Sequence, residues 1–203
     1  MSTITTTQQL RSIYKVPSER SLLKELTYID PHIQRFISLS PFLVISSGDQ
    51  QHQMDSSPRG GDAGFAKVLD QQTILIPDSI GNNRLDTLTN IIATSQVGLL
   101  FIVPGLDEVV RVNGSATLQT DVDLLDHFVF LKNKPKLVIK VIVKAAYMHC
   151  PKAMMRSKLW SIESQQRVDV MPPLSEIIRD QTKSDGPVES REEILNDCLP
   201  GVY

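Results

Sequence analysis

The stretch "TILIPDSIGNNRLDTLTNIIA", residues 73–93, joins two unlike patterns around a short polar turn. An apolar run typical of a β-strand ends at Pro77 and Asp78, and a Gly-Asn-Asn-Arg turn follows at residues 81–84. Over residues 85–93, apolar side chains recur at the spacing of one helix face. The stretch therefore predicts a strand, a sharp turn and an amphipathic helix.

This strand-to-helix corner carries residue types that bind phosphate. A helix start exposes backbone N–H groups and a partial positive charge, and both attract anions. Gly81 allows the sharp turn, while Asn82 and Asn83 tolerate a left-handed backbone and offer amide donors. Arg84 adds a planar fork that matches phosphate oxygens. The corner is therefore a candidate anion site.

A structural interpretation of the same residues stays open. Asn83 can simply cap the helix, and Arg84 can pair with Asp78 or Asp86. A second turn, "SSPRGG" at residues 56–61, also places an Arg beside glycines at the end of a strand. Two such turns in one barrel can converge on a single anionic ligand. Taken alone, however, Arg59 can also be a solvated loop residue.

Composition and charge restrict the classes of protein. The chain has 203 residues, 41% hydrophobic and 22% charged, as expected for one globular core. Its net charge of −2 disfavours a nucleic-acid binder, which needs a local excess of Lys and Arg. No apolar run suits a membrane span or a secretory signal. Cys150 and Cys198 show no disulfide or zinc spacing, so we expect a cytoplasmic protein.

The pattern divides the chain into three parts. Residues 1–29 predict an N-terminal arm with a short helix, and residues 161–203 predict a polar C-terminal extension with one helical island. Residues 30–160 predict one domain with six or seven short strands and three or four inserted helices. This arrangement favours a mainly β fold of the α+β class, built as an antiparallel barrel.

Two elements of the central part predict which residues face inward. Asp30 followed by Pro31 is typical of a capped helix start. The run "KLVIKVIVKAAYMHC", residues 136–150, alternates as a half-buried strand does. The residues predicted to share its inner face are Leu137, Ile139, Val141, Val143 and Ala145.

The His149-Cys150 pair is a weak candidate for catalysis. Adjacent strand residues point to opposite faces, so His149 is badly placed to activate Cys150 as its base. We therefore expect a buried structural thiol at Cys150 and assign no catalytic residue. No spacing among the other His and Asp residues predicts a metal site.

Five blocks of the sequence, in order and without large gaps, together resemble the pyridoxamine 5′-phosphate oxidase-like family of flavin split-barrel proteins, most closely a bacterial branch of it. The blocks are "SPFLVISS" (40–47), "SSPRGGDAGFAKVLD" (56–70), "TILIPDSIGNNRLDTLTNI" (73–91), "VGLLFIVPGLDEVVRVNGSA" (97–116) and "HCPKAMMRSKLW" (149–160). The Arg-rich substrate signature of true pyridoxamine phosphate oxidases is absent from the carboxyl end. The resemblance implies a six-stranded antiparallel split β-barrel and a homodimer with FMN at the subunit interface.

The resemblance also implies which residues hold the cofactor. The residues beside the isoalloxazine ring and ribityl chain would be Ser57, Pro58 and Arg59. The residues at the flavin edge would be Ile76, Pro77 and Asp78. The phosphate would be held by Asn82, Asn83, Arg84 and Thr87. The residues that close the pocket from the other subunit would be Arg111, Lys158 and Trp160.

The expected function follows from this cofactor. We expect an FMN-dependent oxidoreductase that passes electrons between a nicotinamide-type or other reductant and a small molecule. A non-catalytic flavin binder is the alternative, and haem or a deazaflavin are alternative cofactors. The resemblance implies no particular substrate.

Overall fold

The computed structural model describes residues 3–79 and 81–202 of the chain. The helices of this described part are α1 (Thr7–Ile13), α2 (Glu19–Leu23), α3 (Pro31–Leu39), α4 (Asp86–Thr94), α5 (Val122–Leu125), α6 (Lys152–Ser157), α7 (Leu174–Thr182) and α8 (Arg191–Val202). The strands are β1 (Phe42–Gly48), β2 (Met54–Gly60), β3 (Lys67–Asp70), β4 (Thr73–Pro77), β5 (Gln96–Ile102), β6 (Val109–Gln119) and β7 (Val138–His149). Short 3₁₀ turns lie at Asp126–Phe128 and Ile162–Ser164.

The seven strands form one sheet in the order β2-β1-β5-β6-β7-β4-β3. Every neighbouring pair is antiparallel, as the sequence predicts. The six strands that the resemblance implies are wrong, because the described part of the chain has seven, within the six or seven that the pattern predicts. The polar β2 pairs with β1 along its whole length, and the four-residue β3 is supported by its pairing with β4.

One hydrophobic core joins strands from both halves of the sheet. Leu43 and Ile45 of β1 belong to the same buried cluster as Ile74 and Ile76 of β4, although three strands separate β1 from β4 in the pairing order. The cluster also contains Phe36 of α3. The sheet therefore curls around a single core, which agrees with a split barrel in the α+β class.

Helix α3 begins as its sequence predicts. The Asp30 side chain accepts a hydrogen bond from the Ile33 backbone N–H at 2.8 Å, and Pro31 opens the helix. The apolar face of α3, which includes Phe36 and Ile37, is buried in the core. The helix thereby adds a stripe of apolar side chains to the core.

Strand β7 departs from strict alternation near its middle. The register of β6 against β7 shifts between Asn113 and Gly114, and Lys144 is the extra residue in β7. Ala146, not Ala145, therefore lies in the core, so the inner-face prediction holds through Val143 and is wrong at Ala145. Gly114 permits the close approach of the strands, because a Cβ there would meet the backbone carbonyl of Ile142.

The two ends of the chain lie outside the core. Helices α1, α2 and α7 contribute no buried residues. The extension predicted over residues 161–203 is described to residue 202, and it contains two helices, α7 and α8, where one was expected. The domain limits at residues 30 and 160 stay predictions. Among the helices of the described ranges, none has the length and apolar character needed to cross a membrane.

Candidate functional site

The strand-to-helix corner has the predicted strand, turn and helix, but the residue at the N-cap of the helix differs from the prediction. Strand β4 ends at Pro77, and α4 begins at Asp86, one residue later than predicted. Leu85 is the N-cap residue, with φ of 61°, and no side chain caps the helix. The capping interpretation of Asn83 is therefore wrong, although Asn83 does adopt the left-handed backbone, with φ of 59°. The first backbone N–H groups of α4 are left without a side-chain partner.

Arg84 makes one of the ion pairs that the sequence offers. Its Nε donates to Asp86 Oδ2 at 2.9 Å, and this hydrogen bond raises the pKa of Arg84. The two side chains are 72% and 47% exposed, so solvent weakens their attraction. Within the described chain, the terminal nitrogens of Arg84 make no hydrogen bond. Asp86 thus holds Arg84 at the corner, and the terminal nitrogens of Arg84 can still donate to a ligand.

A cleft of about 550 Å³ opens beside this corner. Its size lies within the roughly 300–1,000 Å³ typical of ligand sites. The predicted site residues that line it are Ser57, Arg59, Asp78, Asn82, Asn83, Arg84 and Thr87. The two Arg-bearing turns of the sequence therefore do converge on one space.

The predicted apolar wall is divided between a second cavity and the core. Pro58 and Pro77 line a neighbouring cavity of about 250 Å³, which shares Arg59 and Gly81 with the cleft. Ile76 is 0% exposed and belongs to the core cluster, so its side chain lines neither space. Pro58 and Pro77 are therefore the apolar residues nearest to the cleft among those predicted.

Arg59 has an unsatisfied buried donor. Its Nε is buried and has no hydrogen-bond partner in the part of the chain that the structure describes. Arg59 and Lys136 both lower the pKa of Asp78, but burial outweighs them and raises the pKa of that carboxyl above its usual range. An unpaired buried donor is costly, so an anionic or carbonyl oxygen of a ligand would stabilise this side chain.

A polar network joins β2 to the first turn of α4. Asp55 accepts hydrogen bonds from Thr87 Oγ1 at 2.5 Å and from Ser57 Oγ at 3.0 Å. Because the carboxylate takes both hydroxyl protons, the two hydroxyl oxygens are available mainly as acceptors. No role for Asp55 was predicted from the sequence. The alternation of β2 places Asp55 on the same strand face as Ser57 and Arg59, but it does not indicate the hydrogen bond with the distant Thr87.

The loop before β7 supplies an unexpected wall of the cleft. Asn133, Lys134, Lys136 and Leu137 line it together with the residues of the corner. The alternating lysines of "LKNKPKL", residues 131–137, were the available signal, but nothing local places that loop near the corner. Together the lining carries four cationic side chains and two carboxylates, which favours an anionic ligand.

The residues predicted to act from a second subunit lie away from the cleft. Arg111 Nη2 forms an ion pair with Glu25 Oε2 at 3.2 Å. Trp160 Nε1 donates to the Leu106 carbonyl at 2.9 Å, in the turn between β5 and β6. Lys158 is exposed and ends α6 in a left-handed conformation. Within one chain, Arg111 and Trp160 therefore have side-chain contacts of their own, whereas Lys158 is exposed.

The remaining candidates do not form a catalytic or metal centre. Cys150 is exposed, so the prediction of a buried thiol is wrong. Burial, Arg111 and Lys24, in that order, lower the pKa of His149. Across residues 3–79 and 81–202, no group of three or more His, Cys, Asp or Glu side chains is placed to hold a metal ion.

Comparison with known proteins agrees with this architecture. The family model described as pyridoxamine 5′-phosphate oxidase matches residues 29–150, more than half of the chain. The structure of HupZ from Group A Streptococcus is 16% identical, with a TM-score of 0.50, over 59% of this chain and 93% of that one. A putative pyridoxamine 5′-phosphate oxidase from Lactobacillus delbrueckii is 18% identical, with a TM-score of 0.48, over 61% and 98%.

These likenesses to solved structures concern the fold alone, at their low identity. No match was found among curated proteins. The family model, by contrast, covers the strands and turns that build the cleft, from before α3 to the end of β7. It confirms the resemblance carried by the five sequence blocks. The chain belongs to the pyridoxamine 5′-phosphate oxidase family.

Proposed function

We propose that the protein is an FMN-dependent oxidoreductase that acts on a small molecule and works as a homodimer. The observation that carries this proposal is the buried, unpartnered Nε of Arg59 beside the uncapped start of α4. Both features are donors that lack an acceptor within the described chain, and they border one cleft. FMN offers phosphate and carbonyl oxygens as acceptors, so the residues present fit this cofactor.

The corner would hold the phosphate end. The first N–H groups of α4 and its dipole attract a dianion, and the terminal nitrogens of Arg84 can add two charge-assisted hydrogen bonds. Asn82 Oδ1 accepts from the Arg84 backbone N–H at 3.1 Å, which stabilises the turn. Asn83 adds an amide donor at the cleft. The exposed pair of Arg84 with Asp86 is weak enough to rearrange around a phosphate.

The polar network would hold the sugar-like chain of the cofactor. Asp55 fixes the hydroxyls of Ser57 and Thr87 as acceptors, and ribityl hydroxyl groups are donors that match them. Thr87, which is 2% exposed, would therefore act on the ribityl chain or keep the helix start in place. This role differs from the phosphate contact that the family resemblance implies for Thr87.

The apolar ring would lie toward the smaller cavity. Pro58 and Pro77 give it flat apolar contacts, and Arg59 and Asp78 stand at its polar edge. When bound, FMN supplies the redox chemistry by accepting and passing on electrons. The side chains of this protein would bind the cofactor, orient its ring and exclude water from it.

A second copy of the chain would complete the pocket. The outer face of the sheet presents Phe42 and Val44 of β1 in register with Ile102 and Leu100 of β5; Phe42 is exposed and the other three are only partly buried. An apolar sheet face of this kind is typical of a homodimer interface. The residues that would reach the cofactor from the second copy are Arg111, Lys158 and Trp160. The free cysteines fit the cytoplasmic location that we propose.

Cofactor reduction tests the oxidoreductase proposal. The purified protein is loaded with FMN, mixed anaerobically with NADH or NADPH, and followed by the loss of visible flavin absorption. We expect reduction by at least one donor and recovery of the absorption when air is admitted. The variant Arg59→Gln, loaded at the same FMN concentration, should give a smaller protein-dependent rate. A bound flavin that no biological donor reduces would contradict the enzyme and favour the non-catalytic flavin binder.

A further inference from the structure

A second group of charged and aromatic side chains lies where β6 begins and β7 ends. This strand-end cluster consists of Lys24, Glu25, Arg111, Tyr147 and His149. Its members come from three parts of the chain: the residues after α2, strand β6 and strand β7. None of them lines the cleft. Within one chain, the cluster is therefore separate from the cleft.

Aromatic contacts and strand pairing hold the cluster together. The Arg111 guanidinium lies 4.3 Å from the centre of the Tyr147 ring, and these two residues face each other across β6 and β7. Lys24 Nζ lies 4.8 Å from the same ring centre and donates to the Met148 carbonyl at 2.9 Å. The His149 and Tyr147 ring centres are 4.8 Å apart. Cations placed on an aromatic ring in this way have few orientations open to them.

The backbone fixes the segment that carries Lys24 and Glu25. Leu26 forms an antiparallel bridge with Ala146 of β7, through hydrogen bonds of 2.9 and 2.8 Å in the two directions. Ala146 is itself fully buried. The two charged residues that precede Leu26 are therefore anchored beside β7, although α2 has no buried residues.

Glu25 already places a carboxylate on this cluster. The Arg111–Glu25 pair uses one guanidinium nitrogen, at 3.2 Å, and the two side chains are 35% and 50% exposed. A guanidinium can bind a carboxylate through two parallel hydrogen bonds, so this single long contact leaves capacity unused. Lys24 forms no ion pair within the described residues. An incoming carboxylate can therefore replace Glu25 at little cost.

The charge around His149 agrees with this reading. The groups that face His149 are Arg111 on β6, Lys24 after α2 and Tyr147 on its own strand. The two cations add to burial in lowering the pKa of His149. A negative ligand bound between them would oppose that effect and raise the pKa.

We propose that the strand-end cluster is a binding site for a carboxylate group of a small molecule, held by Arg111 and Lys24 in the place that the Glu25 carboxylate occupies. Within one chain the cluster and the cleft share no residue. Arg111 is common to the cluster and to the pocket proposed for the homodimer. Glu25 acts as an internal competitor for the ligand. Its removal should therefore strengthen binding, whereas removal of Arg111 should abolish it.

Titration of His149 with malonate tests the proposal. The ring protons of the four histidines are followed by NMR against pH, at constant ionic strength kept with chloride, and His149→Gln identifies the relevant signal. In the unaltered protein, malonate should raise the pKa of His149 by about one unit at saturation. Glu25→Gln should bind malonate about threefold more tightly, since it lacks the competing carboxylate.

Two further variants and one further anion decide the outcome. Arg111→Gln should abolish the malonate-induced change, whereas Arg35→Gln, which removes an exposed Arg of α3, should respond as the unaltered protein does. Inorganic phosphate should produce a smaller change than malonate at equal concentration. No malonate effect in the unaltered protein, an unchanged response in Arg111→Gln, no tightening in Glu25→Gln, or an equal response to phosphate would each overturn the proposal.

Discussion

The two sides of the proposed cofactor pocket differ in how ready they are for a ligand. On the corner side, one chain brings β2, the end of β4 and the start of α4 to a single cleft, where Arg59 keeps an unpartnered buried Nε. On the other side, Arg111 is paired with Glu25 and Trp160 is bonded to the Leu106 carbonyl. The first side lacks partners within the described chain, and the second side already has them.

This difference indicates which residues can contribute free energy to cofactor binding. A buried donor without a partner costs about 1–3 kcal/mol, which a ligand oxygen can recover. An exposed ion pair is worth at most about 1 kcal/mol, so exchanging it gains or loses little. We therefore expect the corner side to determine cofactor affinity. The other side should affect the arrangement of the second copy and of the substrate.

The largest effect is expected from Gly114→Ala, which should disturb the side of the pocket that carries Arg111 by distorting the pairing of β6 with β7. A Cβ at Gly114 would collide with the Ile142 carbonyl at the bulge that sets the faces of Arg111 and Tyr147. The free energy of unfolding in urea should fall by about 1–3 kcal/mol. Gly98→Ala on β5 is the matched control, because its Cβ would meet Asn113 Oδ1 at 3.5 Å, an ordinary contact. Equal stability of the two variants would mean that the bulge does not require glycine.

The next largest effect is expected from substitution of Arg59, which removes a donor from the corner side of the pocket. Arg59→Gln should weaken FMN binding about thirtyfold, in the range of a lost charge-assisted hydrogen bond. Its stability without cofactor should not fall, because the variant loses an unsatisfied donor. Fluorescence titration of FMN measures the affinity, with Arg35→Gln as a control for net charge. Unchanged affinity in Arg59→Gln would assign Arg59 to the fold and not to the ligand.

Arg84 should show a smaller effect, because its ion pair is exposed. Arg84→Gln should weaken FMN binding about tenfold while the urea midpoint stays the same. The pair with Asp86 is a surface contact that contributes little to folding. If the midpoint falls while FMN affinity is untouched, Arg84 is only the structural partner of Asp86, which is the alternative that its sequence left open.

The smallest effect is a pH dependence at Asp78. Burial raises the pKa of this carboxyl in the folded state, so its ionised form opposes folding. That penalty is absent below the ordinary value of 3.8, grows as the pH rises through the raised pKa, and is complete above it. At pH 7 the free energy of unfolding of Asp78→Asn should therefore exceed that of the unaltered protein, whereas at low pH the two should be equal. The difference at pH 7 should be less than about 1 kcal/mol, because water reaches the group. A gain that is the same at both pH values would contradict this cause.

Local pattern was sufficient for the outline of the corner and for the cap of α3. It was insufficient for the cap of α4 and where distant segments meet. The end of β4, the turn and α4 could be predicted because Gly, Asn, Arg and the helical spacing are all encoded within a few residues. The role of Asp55 and the wall formed by Lys134 and Lys136 could not, since both depend on pairings far apart in sequence. The bulge at Lys144 was also hidden, because an extra residue leaves the apolar run unbroken.

We propose that the corner of one chain is a preformed site for FMN. The most direct test of this proposal is a titration of the purified, cofactor-free protein with FMN, followed by the quenching of flavin fluorescence and by the molar mass in solution. We expect saturable binding of one FMN per chain to a dimer, weakened in Arg59→Gln and nearly unchanged in Arg35→Gln. FMN that stays free and fully fluorescent at concentrations well above those of the protein would contradict it.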